Sequence, residues 1–156
     1  GTIRDASGNY ATITHSPVAY NPSYKVDTAA PTVISVAMSG DSFDNVPPHW
    51  FSVTATFSEP VIVDNASGIN GPTLTIEIIE VGQDAQHRRA TYTSGSGSTA
   101  LIFGYTTTNS DNEDRNGISI VLNALQVNDG TIKDAAGHDA TTAHSAVASN
   151  SNYKTK

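Results

Sequence analysis

The chain lacks cysteine, long apolar runs and basic character. None of its 156 residues is Cys, so neither a disulfide framework nor a thiolate metal site is available. No apolar run approaches the ~18 residues of a membrane-spanning helix, and we expect no membrane insertion. Eight basic residues against fifteen acidic ones give a net charge of −7, which makes nucleic acid an unfavourable partner. Calcium is better matched, because it accepts carboxylate and carbonyl oxygens.

Helical periodicity is also scarce, whereas alternation with a period of two recurs along the chain. Alternate residues from Phe51 to Phe57 are apolar, as a half-buried strand requires. Residues 88–93 and 100–106 flank the Gly-rich turn 95–97 and predict a β-hairpin. Seven to nine such short strands, with turn signals about every ten residues, predict an all-β fold. We expect an immunoglobulin-like antiparallel β-sandwich with Greek-key connections.

An internal repeat is the most informative feature. Residues 1–26 align without a gap on residues 130–155, at an offset of 129, and fifteen of the 26 pairs are identical. A fixed period indicates a tandem array, and a period this long suits a self-sufficient domain. We therefore interpret residues 1–25 as the C-terminal segment of a preceding repeat and residues 26–156 as one complete repeat. The first functional expectation is mechanical rather than catalytic.

Two kinds of loop place carboxylates near the junction of repeats. Asp27 lies in the linker 26–31, whose proline favours extended backbone. This linker is either a plain connector or one part of a calcium site shared with a loop of the adjoining domain. Asp5 and Asp134 open two copies of one Asp-Ala-x-Gly loop. The aspartate there either caps the backbone N–H groups of the turn or, with Asp139 in the second copy, binds a cation.

The densest acidic stretch lies at residues 109–117. It is not an EF-hand, because its glycine comes one place late and Asn123 stands where the loop requires Glu. We interpret the stretch either as a solvated turn or as a different kind of calcium loop that uses Asp111 and Asp114.

The remaining histidines and acids form no catalytic grouping in the sequence. His15 and His144 occupy the same place in the two copies, and we interpret them as packing or hydrogen-bonding residues because no second His lies at metal-ligand spacing. Glu59 ends an apolar strand, where an acid usually hydrogen-bonds a turn. A glycosidase pair with Glu77 is disfavoured because Glu77 alternates with apolar neighbours and is expected to face solvent. We therefore expect no enzymatic activity.

A ligand-binding surface is the alternative function. Phe43, His49 and Trp50 lie close together in sequence, and an exposed aromatic platform there would favour glycan or peptide binding. Burial of Trp50 would disfavour it. The cysteine pair that accompanies the core tryptophan of immunoglobulin domains is missing, so we otherwise interpret Trp50 as a packing residue of the rim or core.

Five blocks in a fixed order carry a family resemblance. They are D-T-A-A-P-T-V from Asp27, V-T-A-T-F-S-E-P-V from Val53, A-T-Y-T-S-G-S-G-S-T-A-L-I-F-G-Y from Ala90, N-G-I-S-I from Asn116 and G-T-I-K-D-A-A-G from Gly130. Together they resemble the bacterial immunoglobulin-like repeats of giant surface adhesins. The resemblance is to the repeat type of a cyanobacterial swimming-motility surface protein and of RTX-type biofilm adhesins, and it spans residues 27–156.

The resemblance implies an extender repeat of a secreted or cell-surface protein, active in cell adhesion and biofilm formation. Its partners would be neighbouring repeats of the same polypeptide, with calcium stiffening the joints. The calcium ligands it implies are Asp27 and Asp134, with Asp5 as the counterpart in the preceding repeat. His138 departs from the pattern, which has Asn at that position. Residues 41–48 and 62–70 are also longer than the pattern.

Residues 1–25 raise a further expectation. Residues 131–154 supply the closing strand of the complete repeat, so the matching N-terminal segment has no sheet to join within its own chain. An unpaired amphipathic strand tends to pair with an edge elsewhere. We therefore hypothesise strand exchange with another copy through residues 1–25.

Overall fold

A computed structural model describes residues 1–21, 23–24, 26–40, 42–45 (43–45 as backbone only), 47–64, 70–79, 82, 84–111 and 116–155. Residues 33–155, called the body below, consist mainly of β-strands, which confirms the all-β prediction. No helix in the described part of the chain is long and apolar enough to cross a bilayer.

The described residues of the body form ten strands. They are β1 (Val33–Ser39), β2 (Phe43–Asn45), β3 (Trp50–Asp64), β4 (Thr73–Ile78), β5 (Gln86–Ser94), β6 (Ser98–Thr106), β7 (Ile118–Gln126), β8 (Thr131–Lys133), β9 (Val147–Asn150) and β10 (Tyr153–Thr155). One 3₁₀ turn, Asn109–Asp111, follows β6. The number exceeds the predicted seven to nine because β2, β8 and β10 have only three residues each.

The order of the strands is that of an immunoglobulin domain. Neighbours run β1-β3-β6-β5-β4-β7-β9, and every pair along this path is antiparallel. In constant-type immunoglobulin domains, strands A, B, E and D form one sheet and C, F and G the other. The two groups correspond to β1-β3-β6-β5 and β4-β7-β9, joined here by pairing between β4 and β5. The short β8 joins β3, and β10 runs parallel to β2.

The alternation along β3 dictates which of its faces is buried. Phe51, Val53, Ala55 and Phe57 are at most 1% exposed, as their period predicts. The strand continues past Pro60, but its register with β6 shifts between Thr56 and Val61. Proline lacks the N–H that the ladder needs, which explains an irregularity at this point.

The core lies between the inward faces of the strands. Its fully buried large side chains are Phe51, Val53, Phe57, Leu74, Ile76, Ile78, Leu101, Phe103, Ile118, Ile120, Leu125 and Ile132. Burial of each such side chain contributes about 1.5–3 kcal/mol relative to its exposure to water. Tyr153 covers one end of the core, with its ring centroid 5.7 Å from that of Phe51.

The predicted hairpin is confirmed as β5 and β6. Gly95 and Gly97 form the turn with φ angles of 109° and 85°, a region that residues with a Cβ rarely occupy. Gly95 also has no space for a side chain, because a Cβ there would lie 2.0 Å from the carbonyl oxygen of Ala100.

Residues 130–155, called the closing segment, complete the body by pairing with three strands. In β8, Ile132 lies opposite Val63 of β3, and in β9 Val147 lies opposite Ile120 of β7. His144 is the polar anchor, because its Nε2 accepts hydrogen bonds from two β7 amides, Ala124 N at 2.9 Å and Leu125 N at 3.3 Å. Asn123 precedes these amides and has a φ of 53°, which interrupts regular pairing at this point.

Removal of the His144 side chain should destabilise the body. In a His144→Ala variant the two β7 amides lose their acceptor, and a buried donor left unsatisfied costs about 1–3 kcal/mol. The free energy of unfolding in urea measures the effect. His15→Ala is the matched control, because His15 holds the same place in an exposed segment, and its effect should stay within about 0.5 kcal/mol. Equal effects of the two variants would contradict the anchoring role.

Residues 1–26, called the leading segment, lie outside the body. All of their described residues are exposed, including the apolar Ile3, Val18 and Tyr24 at 69%, 91% and 83%. Within the described part of this segment, Arg4 and Tyr10 form an isolated antiparallel β-bridge.

Candidate functional site

The linker is held against the body at the start of β1. Thr141 N donates to Pro31 O at 2.8 Å, which ties the linker to the closing segment. Thr32 N donates to Ser58 Oγ at 3.0 Å, and Ser58 N donates back to Thr32 O at 2.9 Å. These contacts bring the linker, the middle of β3 and the loop after β8 to one end of the body. We call the four side chains that meet there, Asp27, Glu59, Asp134 and His138, the linker pole.

Three groups of the linker pole could ligate one ion. A carboxylate oxygen of Asp27, one of Asp134 and a ring nitrogen of His138 all lie within 4.8 Å of one another. Asp134 is 4% exposed, whereas Asp27 is exposed. The structure therefore brings together the two aspartates that the resemblance implied as ligands.

The loop after β8 positions Asp134 by hydrogen bonds within its own turn. His138 N donates to Asp134 Oδ1 at 2.9 Å, and His138 Nδ1 lies 2.7 Å from Oδ2. Gly137 makes the turn possible with a φ of 95°. The predicted capping role of the loop aspartate is thus confirmed. Asp27 forms a similar turn in the linker, where it accepts a hydrogen bond from Ala29 N at 3.1 Å.

Electrostatics at the linker pole reflect the crowding of carboxylates. Burial raises the pKa of Glu59, and the charges of Asp27 and Asp134 raise it further. Burial alone would raise the pKa of Asp134, but hydrogen bonds from the His138 backbone and ring outweigh it and lower the pKa. The pKa of His138 is raised, chiefly by its hydrogen bond to Asp134, with Asp27 and Glu59 adding to the effect. The imidazolium form of His138 therefore offsets part of the negative charge.

The two aspartates of this arrangement offer the oxygen ligands that a hard cation accepts. Calcium takes carboxylate oxygens at 2.3–2.6 Å in flexible geometries, as a general rule, and three carboxylates meet here. Imidazole suits zinc, copper, iron and nickel rather than calcium. His138 is therefore the group of the three that suits calcium least, and its ring nitrogen already lies 2.7 Å from Asp134 Oδ2.

Glu59 is the residue that sequence reasoning missed at this site. It was interpreted as an acid that hydrogen-bonds a turn at the end of a strand. In the structure β3 continues past it, and its neighbour Ser58 pairs with Thr32 of the linker. The sequence shows that an acid is present at position 59. Its place beside Asp27 depends on a pairing across 26 residues, which local periodicity does not report.

Two other predicted ligands lie apart from the linker pole. Asp139 pairs with Lys133, at 3.0 Å from Nζ to Oδ1, and its side chain is 76% exposed. Asp5 caps its own exposed loop, with Oδ1 accepting hydrogen bonds from Ser7 N and Asn9 N at 2.9 Å each.

The interpretation of residues 109–117 as a solvated turn is wrong for Asp111. Its side chain is fully buried and forms an ion pair with Arg88, at 2.6 Å from Nε to Oδ1. The other oxygen, Oδ2, accepts hydrogen bonds from Tyr105 OH at 2.7 Å and Thr108 N at 2.8 Å. Asp111 is thus an internal anchor rather than a ligand on an open loop. Asp114, the second candidate in this stretch, lies outside the described residues.

The structure describes part of the alternative ligand-binding surface, which was predicted at Phe43, His49 and Trp50. Trp50 is 56% exposed, so it is not a core residue. Its indole lies over Gly104, where a Cβ would be 3.1 Å from Nε1. His49 is half-buried, and its backbone N donates to Thr107 Oγ1 at 2.8 Å. The backbone of Phe43 belongs to β2, and its side chain lies outside the described part of the chain.

Comparison of the chain with known proteins gives no match to a family model, a curated protein or a solved structure.

Proposed function

We propose that the chain is a structural extender repeat of a large secreted or cell-surface bacterial adhesin, without a catalytic role. The observation that carries this proposal is the gapless repeat at an offset of 129 residues. The structure adds that the second copy of the repeated segment closes one immunoglobulin-like body. Each repeat then folds around its own core, and successive repeats add length to the protein.

The path of the chain through the body supports an extended arrangement. The chain enters beside Ser58, at the start of β1. It leaves through β10, where Tyr153 OH donates to Gly40 O at 3.3 Å, just past the end of β1. Entry and exit therefore lie at opposite ends of β1, whose seven residues span roughly 23 Å at about 3.3 Å per residue. Repeats joined in this way extend along the strand direction.

We also propose that calcium binds the linker pole and stiffens the joint between repeats. Asp27 belongs to the linker, whereas Glu59 and Asp134 belong to the body. An ion held by Asp27 and Asp134, with Glu59 nearby, would fix the angle at which the chain enters. Burial is the main cause of the raised pKa of Glu59, and repulsion from Asp27 and Asp134 adds to it. A divalent cation would relieve this repulsion.

Calcium should therefore raise the melting temperature of the full chain relative to a chelator. A ligand that binds only the native state adds about 2.7 kcal/mol of stability at a hundredfold excess over its Kd. Asp27→Asn should remove most of the shift, whereas Asp84→Asn, which removes one charge from an exposed position elsewhere, should retain it. An absent shift, or equal shifts in both variants, would exclude calcium from the linker pole.

The residue at position 138 offers a second comparison. His138→Asn introduces the residue that the first copy has at the matching position, Asn9. The variant loses a competing cation and gains an amide oxygen, which is a calcium ligand. We expect a larger calcium-induced rise in melting temperature than in the unchanged chain. A smaller rise would show that His138 assists binding.

A ligand-binding role remains the second candidate, because Trp50 is exposed rather than buried. Its surface would take a glycan or an aromatic peptide side chain against the indole. Trp50 is the only tryptophan of the chain, so its fluorescence reports binding directly. A saturable change on titration with glycans or peptides would favour this candidate over a purely structural role for that face.

A further inference from the structure

The leading segment shares local turns and hydrogen bonds with the closing segment. In the first copy of the Asp-Ala-x-Gly loop, Ala11 N donates to Ile3 O at 2.9 Å. In the second copy, Ala140 N donates to Ile132 O at 2.8 Å. The glycine of the loop has a φ of 87° in the first copy and 95° in the second. The loop therefore adopts one shape both on the body and away from it.

The similarity continues beyond the loop. The ring Nδ1 of His15 lies 2.9 Å from the carbonyl oxygen of the next residue, and that of His144 lies 2.8 Å from its equivalent. Asn21 and Asn150 each accept, on Oδ1, a hydrogen bond at 3.0 Å from the N–H two residues later. His15 thus has the same ring orientation as His144. The amides that His144 binds belong to β7, outside the leading segment.

One sequence difference between the two segments falls on a buried position of the closing segment, and the others do not. The buried residues of the closing segment are Gly130, Ile132, Asp134, Tyr153 and Thr155. The leading segment has identical residues at four of these five positions, and the exception replaces Thr155 by Val26. The other ten substitutions fall on half-buried or exposed positions. Contacts with the core are therefore retained almost completely.

Charge also favours association with the body. The leading segment has two basic residues and one acidic residue, for a net charge of +1. Residues 27–156 have six basic and fourteen acidic residues, for a net charge of −8. The segment thus combines exposed apolar side chains with a net charge opposite to that of the rest of the chain.

We infer that either segment fits one docking edge on the body, and that the leading segment of one copy can occupy this edge in a second copy. The docking edge consists of Ile62–Asp64 of β3, residues 118–125 of β7 and the backbone of β2. Ile3 would take the place of Ile132, His15 that of His144, and Tyr24 that of Tyr153. This exchange does not depend on calcium or on the extender function.

The balance between the two occupants depends on concentration. Within one chain the closing segment has an effective concentration of the order of millimolar, so the unchanged protein is expected to stay monomeric at micromolar concentrations. Exchange becomes favourable when the closing segment is weakened and the leading segment is intact. The Ile132→Asp change achieves this, because Ile132 is 1% exposed. Ile3→Asp is the matched change in the leading segment.

The experiment compares four full-length chains: unchanged, Ile3→Asp, Ile132→Asp and the double variant. Mass in solution and thermal unfolding are measured for each at the same protein concentrations. We expect the unchanged and Ile3→Asp chains to be monomers of 16.3 kDa. Ile132→Asp should give at least a doubling of mass together with cooperative unfolding. The double variant should lose both, because neither segment can then fill the edge.

Two results would overturn the proposal. In the first, Ile132→Asp and the double variant have the same mass and the same unfolding curve, which means that the leading segment does not rescue the body. In the second, Ile132→Asp stays a stable monomer, which means that any rescue occurs within one chain. If the double variant is unfolded, a peptide of residues 1–26 should restore cooperative unfolding, and the same peptide with Ile3→Asp should not. Failure of the unaltered peptide to do so would also overturn the proposal.

Discussion

Asp111→Ala should destabilise the protein by about 3 kcal/mol, one of the largest effects expected among the described polar residues. Removing one member of a buried ion pair costs about 3–5 kcal/mol because the partner charge is left uncompensated. The Arg88 side chain is 24% exposed, so water can partly replace the lost carboxylate. The lower end of the range therefore applies.

Two further groups lose their acceptor in this variant. Tyr105 OH and Thr108 N both donate to Asp111 Oδ2, and they connect the end of β6 to the turn that carries Asp111. The free energy of unfolding in urea is the measurement. Asp84→Ala, at an exposed position, is the control and should change stability by less than about 0.5 kcal/mol. Similar losses in both variants would show that Asp111 is not an anchor.

The same carboxylate should make stability sensitive to acid. Burial acts to raise the pKa of Asp111, but hydrogen bonds from Tyr105, Thr108 and Arg88 outweigh burial and lower it. A lowered pKa in the folded state gives stability that is present above the unfolded value, near pH 4, and is lost as the pH falls through the folded value. Asp111→Asn should therefore flatten the decline in stability below about pH 4. An unchanged acid profile would contradict this assignment.

Gly117→Ala should cost about 2–5 kcal/mol, because two independent penalties act at one position. Gly117 has a φ of 91°, and the left-handed region costs a residue with a Cβ about 1–2 kcal/mol. A Cβ would also lie 2.0 Å from the carbonyl oxygen of Asn150 in β9. Backbone atoms cannot rotate away, so β7 and the closing segment must separate, and such overpacking costs about 1–3 kcal/mol.

Gly97→Ala separates the two penalties. Gly97 has a similar φ of 85°, but no heavy atom lies within 4 Å of the position its Cβ would take. Its replacement should therefore cost about 1–2 kcal/mol, from conformation alone. Urea unfolding of the two variants gives the comparison. If Gly117→Ala is no more destabilised than Gly97→Ala, the closing segment does not approach β7 as closely as the structure shows.

The alternation of apolar and polar residues was sufficient to predict the longer strands. Alternation identified the buried face of β3, and paired alternation around a Gly-rich turn identified the β5–β6 hairpin. The short strands β2, β8 and β10 lack a periodic signal of their own, since each has only three residues. They form because a longer strand, or another short one, lies beside them.

Long-range partners account for what the sequence did not predict at the sites. Asp111 stands in a polar stretch that has the composition of a solvated turn. It is buried because Arg88, 23 residues earlier on β5, reaches it. Glu59 likewise joins the linker pole through contacts between β3 and the linker. Asp27 and Asp134 were paired from the resemblance alone, and their convergence follows from the bond between Thr141 and Pro31.

Mechanical unfolding of a tandem array of this chain tests the extender proposal most directly. If each body is a sealed unit completed by its own closing segment, stretching should produce equal, separate unfolding steps, one for each repeat. Residues 33–155 extend to roughly 40 nm at about 3.3–3.6 Å per residue, so each step should release slightly less than this length. Gradual extension without steps, or steps much shorter than this, would contradict an extender built from independent repeats.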